Sequence, residues 1–206
     1  MGNRILISFL PILIFLVFFF LGDAGAQTKT IQVGAPFPDL ALKNKLSPKD
    51  RKYLGVSKKT SIPFKEIPGS LFIIEVTNSY CVICKKDVPI LNKVYSRIEK
   101  DADLKGKVKV IGIAAGNNHR EVETFSKEYN VLYPIFTDLN FVAHKAIGAP
   151  RVPYTVFVRK DKKGKGVVVS AHQGIFDSAD SVMTDIRDFL KCDPSASSCK
   201  FKLKDK

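Results

Sequence analysis

The run Leu71-Phe72-Ile73-Ile74-Glu75-Val76 is apolar on both of its alternating faces apart from one acid. No other feature constrains the chain as much, because a strand of this kind must be buried on both sides. The segment from Cys81 to about Lys100 follows it. Val88, Leu91, Tyr95 and Ile98 recur there at helical spacing and predict a helix with a core-facing stripe. Lys107 to Ala115, centred on Val108, Val110, Ile111 and Ile113, reads as the next buried strand.

The alternation continues. Asn118 to Tyr129 predicts an exposed helix, Tyr133 to Phe136 a short strand, and Phe141 to Ile147 a short helix ending near Gly148. Tyr154 to Arg159 and Val167 to Ala171 flank the turn Lys162-Lys163-Gly164-Lys165-Gly166 as an antiparallel hairpin. Ser178 to Lys191 closes as a helix with Val182, Ile186, Phe189 and Leu190 on its apolar side. The fold class is therefore α/β, a central mixed β-sheet flanked by helices. Residues before Leu71 are less regular. Only Ser47-Pro48 marks a helix start, with the serine as cap and the proline in the first turn.

Three parts are expected along the chain. In residues 1–26, Met1 to Arg4 is short and positive and Ile5 to Leu21 is almost wholly apolar. Ala24-Gly25-Ala26 then offers a cleavage site before Gln27. This reads as a secretory signal, with an uncleaved membrane anchor through residues 5–21 as the competing reading. Residues 27–191 form one domain, and residues 192–206 a basic tail carrying Cys192 and Cys199. The protein is expected outside the cytoplasm, periplasmic or extracytoplasmic.

The net charge is +13, yet the lysines are scattered and not interleaved with aromatic residues. A solvated basic surface is expected and nucleic acid is not.

Cys81 and Cys84 stand directly between a strand and a helix. The first sulfur then meets the positive end of the helix dipole, which favours thiolate. Cys81 is the candidate nucleophile toward a disulfide. Cys84, one turn further in, is the candidate resolving thiol, and its attack leaves an internal disulfide. Zinc is not expected: the other pair, Cys192 and Cys199, has the wrong spacing, and no histidine pair is available. Those two cysteines enclose a turn-rich loop and are read as a structural disulfide. His119, His144 and His172 are scattered singly, as surface or hydrogen-bonded residues.

Four motifs resemble the thioredoxin-like redoxin family, especially its exported TlpA and ResA branch. Val33-Gly34-Ala35-Pro36-Phe37-Pro38-Asp39-Leu40 is similar to the opening motif that this branch shares with peroxiredoxins. Pro89 matches the proline that kinks the active-site helix. Val152-Pro153-Tyr154-Thr155 resembles the loop carrying the family's cis-proline, and residues 118–138 match the insertion that marks the branch.

The resemblance implies a thiol:disulfide oxidoreductase that reduces or exchanges protein disulfides, in cytochrome c maturation as in that branch. Its partners are protein thiols and an upstream membrane or exported electron donor. No cofactor beyond the cysteine pair is implied. Val152 and Pro153 would meet the substrate chain beside the cysteines, and Glu75 would accept a proton from Cys84. Against that role, Glu75 would instead face solvent at a sheet edge or pair with a lysine.

Tyr80, a candidate substrate-binding residue, stands where the family usually has tryptophan, and Val82-Ile83 is not a dipeptide of known reductants or oxidants. The redox direction therefore stays open. Two other readings are kept. A thiol peroxidase needs threonine or serine three residues before its cysteine, where Cys81 is preceded by Asn78. A copper-binding assembly factor needs three residues between its cysteines, where this chain has two.

Overall fold

A computed structural model describes residues 30–161 and 163–191. The expected signal or anchor, the pair Cys192 and Cys199, and Lys162 of the hairpin turn lie outside the described residues. No helix among the described residues is long and apolar enough to cross a membrane.

In chain order the elements are β1 (Ala41–Lys43), α1 (Pro48–Leu54), β2 (Ser61–Pro63), a single 3-10 turn (Phe64–Glu66), β3 (Leu71–Thr77) and α2 (Val82–Lys100). They continue with β4 (Val108–Ala115), α3 (His119–Glu128), β5 (Ile135–Asp138), α4 (Val142–Ala146), β6 (Tyr154–Lys160), β7 (Gly166–Gln173) and α5 (Ala179–Lys191). The strands form one mixed sheet in the order β2-β1-β5-β4-β3-β6-β7. Its centre, β5-β4-β3, is parallel, and β6 and β7 continue it antiparallel.

The expected α/β architecture is thus the observed one, and its physical cause is visible in β3. All seven of its residues are buried, between β4 on one side and β6 on the other. Helix α2 buries Val88, Leu91, Val94, Tyr95 and Ile98, the expected stripe with Val94 added, and packs beside α5. The opening segment runs along β7: Gly34 N–H donates to Val168 O at 2.8 Å and Phe37 N–H to Gly166 O at 2.8 Å. It thereby covers an edge that would otherwise be open.

Two details differ from the sequence reading. Strand β5 was expected at 133–136 and lies at Ile135–Asp138, because Pro134 has no N–H to donate and enters only as an acceptor, from Gly112 N–H at 2.8 Å. Strands β1 and β2 were not anticipated. Each has three residues, too few for any period to show. Helix α1 does begin at Ser47, whose hydroxyl oxygen accepts from Asp50 N–H at 3.0 Å.

Away from the cysteines, Lys160 is buried at the end of β6. Its ammonium donates to Phe64 O at 2.6 Å and Ile67 O at 2.7 Å and lies over the rings of Phe64 and Phe72. These contacts fasten the 3-10 turn to the sheet. They offset only part of the cost of leaving water, and burial lowers the Lys160 pKa to about 8.

Candidate active site

Cys81 is the N-cap of α2, and its sulfur accepts from the backbone N–H of Cys84 at 3.1 Å. That donor belongs to the first turn, where helix N–H groups have no intrahelical partner. The same N–H and the helix dipole would favour a Cys81 thiolate. Here the two cysteines are joined as a disulfide with their Cα atoms 5.3 Å apart. Cys81 is part-exposed, whereas Cys84 is 1% exposed. Of the two sulfurs, Cys81 is therefore the one a partner can reach.

The second wall of the site comes from the chain before β6. The Val152-Pro153 peptide bond is cis, and the Cys81 sulfur lies 3.8 Å from the carbonyl oxygen of Val152. The loop is pinned from β7: Gln173 Nε2 donates to Pro153 O at 2.8 Å and to Arg151 O at 3.0 Å, and Gly174 N–H donates to Pro153 O at 3.0 Å. Pro153 does not begin an edge strand, since β6 lies between β3 and β7.

Beneath the cysteines are two buried acids. Glu75 is 2% exposed, so it does not face solvent, and it forms no ion pair with a lysine among the described residues; its Oε2 accepts from the Thr155 hydroxyl at 2.5 Å. Burial first, and the neighbouring charge of Asp87 second, hold its pKa well above the usual carboxylate range.

Asp87 is fully buried on the turn of α2 after Cys84. Its Oδ1 accepts from Phe176 N–H at 3.2 Å, while its Oδ2 has no hydrogen-bond partner among the described residues. Burial raises it to about 6. Tyr133 is buried beside them, and its hydroxyl is raised by burial and then by both acids. Two carboxyls so close in the interior resist losing both protons together.

Sequence reasoning missed Asp87. The signal was available: positions 84, 87, 88, 91, 94 and 98 share one helical face, so an acid at 87 falls on the apolar stripe.

Tyr80 is 70% exposed, and its hydroxyl donates to Glu121 Oε1 at 2.5 Å. Glu121 also completes the capping box of α3, accepting from Asn118 N–H at 2.8 Å through Oε2. Asn117, fully buried, accepts from Ser79 N–H at 2.8 Å. Asn78 Nδ2 donates to Ala115 O at 2.7 Å, and Asn78 Oδ1 accepts from Tyr80 N–H at 2.8 Å. The loop carrying the cysteines is therefore tied at several points to the connection between β4 and α3.

The structure thus brings Cys81, Cys84, Tyr80, Val152 and Pro153 to one end of the sheet, with Glu75 and Asp87 below. The three histidines are separate and hydrogen-bonded: His119 to Asn44, His144 to Pro150 O and His172 to Ile175 O.

Curated relatives include ResA thiol-disulfide oxidoreductases. That of Halalkalibacterium halodurans is 24% identical over 114 residues, 55% of this chain and 60% of its own length. That of Bacillus thuringiensis subsp. konkukian is 26% identical over 102 residues, 50% of this chain and 56% of its own length. The chain thus spans less than two thirds of these relatives.

Among solved structures, the thioredoxin domain of a Bacteroides vulgatus thiol-disulfide oxidoreductase aligns with a TM-score of 0.56 at 16% identity, over 76% of this chain and 99% of that one. StoA of Bacillus subtilis aligns with a TM-score of 0.51 at 18% identity, over 74% and 96%. These likenesses carry the fold. The AhpC/TSA family model matches residues 33–172, more than half of the chain. With the thioredoxin-like fold of these neighbours and the match over residues 33–172, the chain belongs to the AhpC/TSA family.

Proposed function

We propose that the protein is a thiol:disulfide oxidoreductase acting on exported protein thiols and disulfides. The observation that carries this reading is the accessible Cys81 sulfur at a helix N-terminus, 3.8 Å from Val152 O, with Cys84 buried behind it. In the reducing direction the Cys81 thiolate attacks a substrate disulfide, forming a mixed disulfide and expelling one substrate thiolate. Cys84 then gives up its proton and attacks the Cys81 sulfur, releasing the second thiolate. Two electrons pass to the substrate and the internal disulfide forms.

The buried acids Glu75 and Asp87 are the proposed acceptors of the Cys84 proton: burial raises both above the usual carboxylate range, Asp87 to about 6, which makes them stronger bases than exposed carboxylates. Val152 and Pro153 are proposed to meet the substrate backbone, and Tyr80 its side chains.

Export by residues 1–26, cleaved or kept as a tether, belongs to the same proposal. So do a redoxin domain over 27–191, a Cys192–Cys199 clip in the tail, and an exported or membrane donor that returns electrons. Service in cytochrome c maturation, which the resemblance to the TlpA and ResA branch implies, is part of the proposal. Insulin reduction with Cys81→Ser as control tests the chemistry; a protein inert in both directions ends the proposal.

The family match also keeps a peroxidase reading in view. The residue three before Cys81 argues against it: Asn78 spends its side chain on Ala115 O and Tyr80 N–H.

A further inference from the structure

Among the described residues, six large apolar side chains are exposed: Tyr80, Val82, Ile83, Leu139, Phe141 and Val142. They fall in two segments, which leave the carboxyl ends of β3 and β5, the strands flanking β4 in the parallel centre. The parallel ladder sets the two exits level: Thr77 lies opposite Ala114 and Asp138 opposite Ala115, and just beyond them the Asn78 side chain donates to Ala115 O at 2.7 Å and Gly116 N–H to Asp138 O at 2.9 Å. The gap between them is bridged, because Gly116 has no side chain and the Phe141 ring lies against its Cα. A scatter of surface apolar residues is ordinary, but this concentration beside a reactive sulfur is not.

We infer that Leu139, Phe141 and Val142 form a seat for an apolar side chain of the substrate polypeptide, about three residues from the cysteine that Cys81 attacks. The inference rests on the exchange reading above. Two strand spacings separate the exits of β3 and β5, about 10 Å, and an extended chain covers that span in about three residues. Continuity with Cys81 points to the occupant: the Phe141 ring lies against Gly116, and the next residue, Asn117, holds Ser79 N–H in the loop that carries that sulfur.

The test uses the reduced full-length protein and symmetrical disulfides of short peptides with leucine or serine three residues before, or three after, the cysteine. Hydroxyethyl disulfide, too small to reach the seat, serves as reference. For one of the two placements the leucine peptide is expected to react about tenfold faster in kcat/KM, the effect of partly burying one leucine. In a Leu139→Ser, Val142→Ser double variant the ratio should fall toward one. Equal rates for leucine and serine at both placements overturn the seat while leaving exchange intact. Failure with hydroxyethyl disulfide as well overturns the exchange reading itself. Concentration-dependent dimerisation that the double variant abolishes would assign the face to a second copy and also overturn the seat.

Discussion

The core buries charge in two places and treats it differently. At the end of β6, the Lys160 ammonium has two carbonyl acceptors and two aromatic faces. Below the cysteines, Glu75 and Asp87 lie close enough to oppose each other's ionisation, and one Asp87 oxygen has no partner among the described residues. A buried charge with partners holds elements together. A buried acid without a full set stays ready to exchange its proton, at a cost in stability.

Opposite signs of effect would establish that contrast. Lys160→Ala strips donors from Phe64 O and Ile67 O and opens a cavity, so it should lower stability by about 2–4 kcal/mol in urea unfolding. Exchange per folded molecule should hold. Asp87→Asn keeps an acceptor for Phe176 N–H and removes the charge that burial disfavours. It should raise stability by about 1–3 kcal/mol at pH 7.5 and slow disulfide exchange about tenfold. An Asp87→Asn protein that is both less stable and fully active would break the comparison.

A pH series sharpens it. The folded pKa of Asp87, about 6, lies above its ordinary value of 3.8, so the folded state holds the proton more tightly. Stability from this group is complete below about pH 4 and is lost as pH rises to about 6. The urea midpoint should follow that fall in the parent and lose this component in Asp87→Asn. For Lys160 the depressed value of about 8 gives a rise instead, between about pH 8 and 10, where only the unfolded chain keeps the proton. The smallest effect is expected from Thr155→Val, which removes the donor to Glu75 Oε2. A loss of about 1 kcal/mol is expected, with a modest slowing of exchange.

Much of this was legible in the sequence, and the gaps have physical reasons. The buried strand at Leu71, the stripe of α2 and the cysteines between them are local patterns, and local patterns survive folding. Glu75 was legible too, as one acid in an apolar run. Asp87 hid at the end of Lys85-Lys86-Asp87, a polar stretch whose last residue turns inward only because the helix places it beside Val88 and Leu91. The bond from Tyr80 to Glu121 crosses 41 positions, and no spacing announces it. The apolar run after β5 looked like the start of a short helix. Its exposure depends on Phe141, held at φ 57 against Gly116, a contact set by the sheet.

The level exits of β3 and β5 have a consequence for how such a protein can diverge. Their spacing is held by the main-chain ladder of β3, β4 and β5, so side chains at 139 and 142 can change without disturbing the electron-transfer pair. Partner choice and redox chemistry are then separable, one written on surface side chains and the other on the backbone that frames the cysteines.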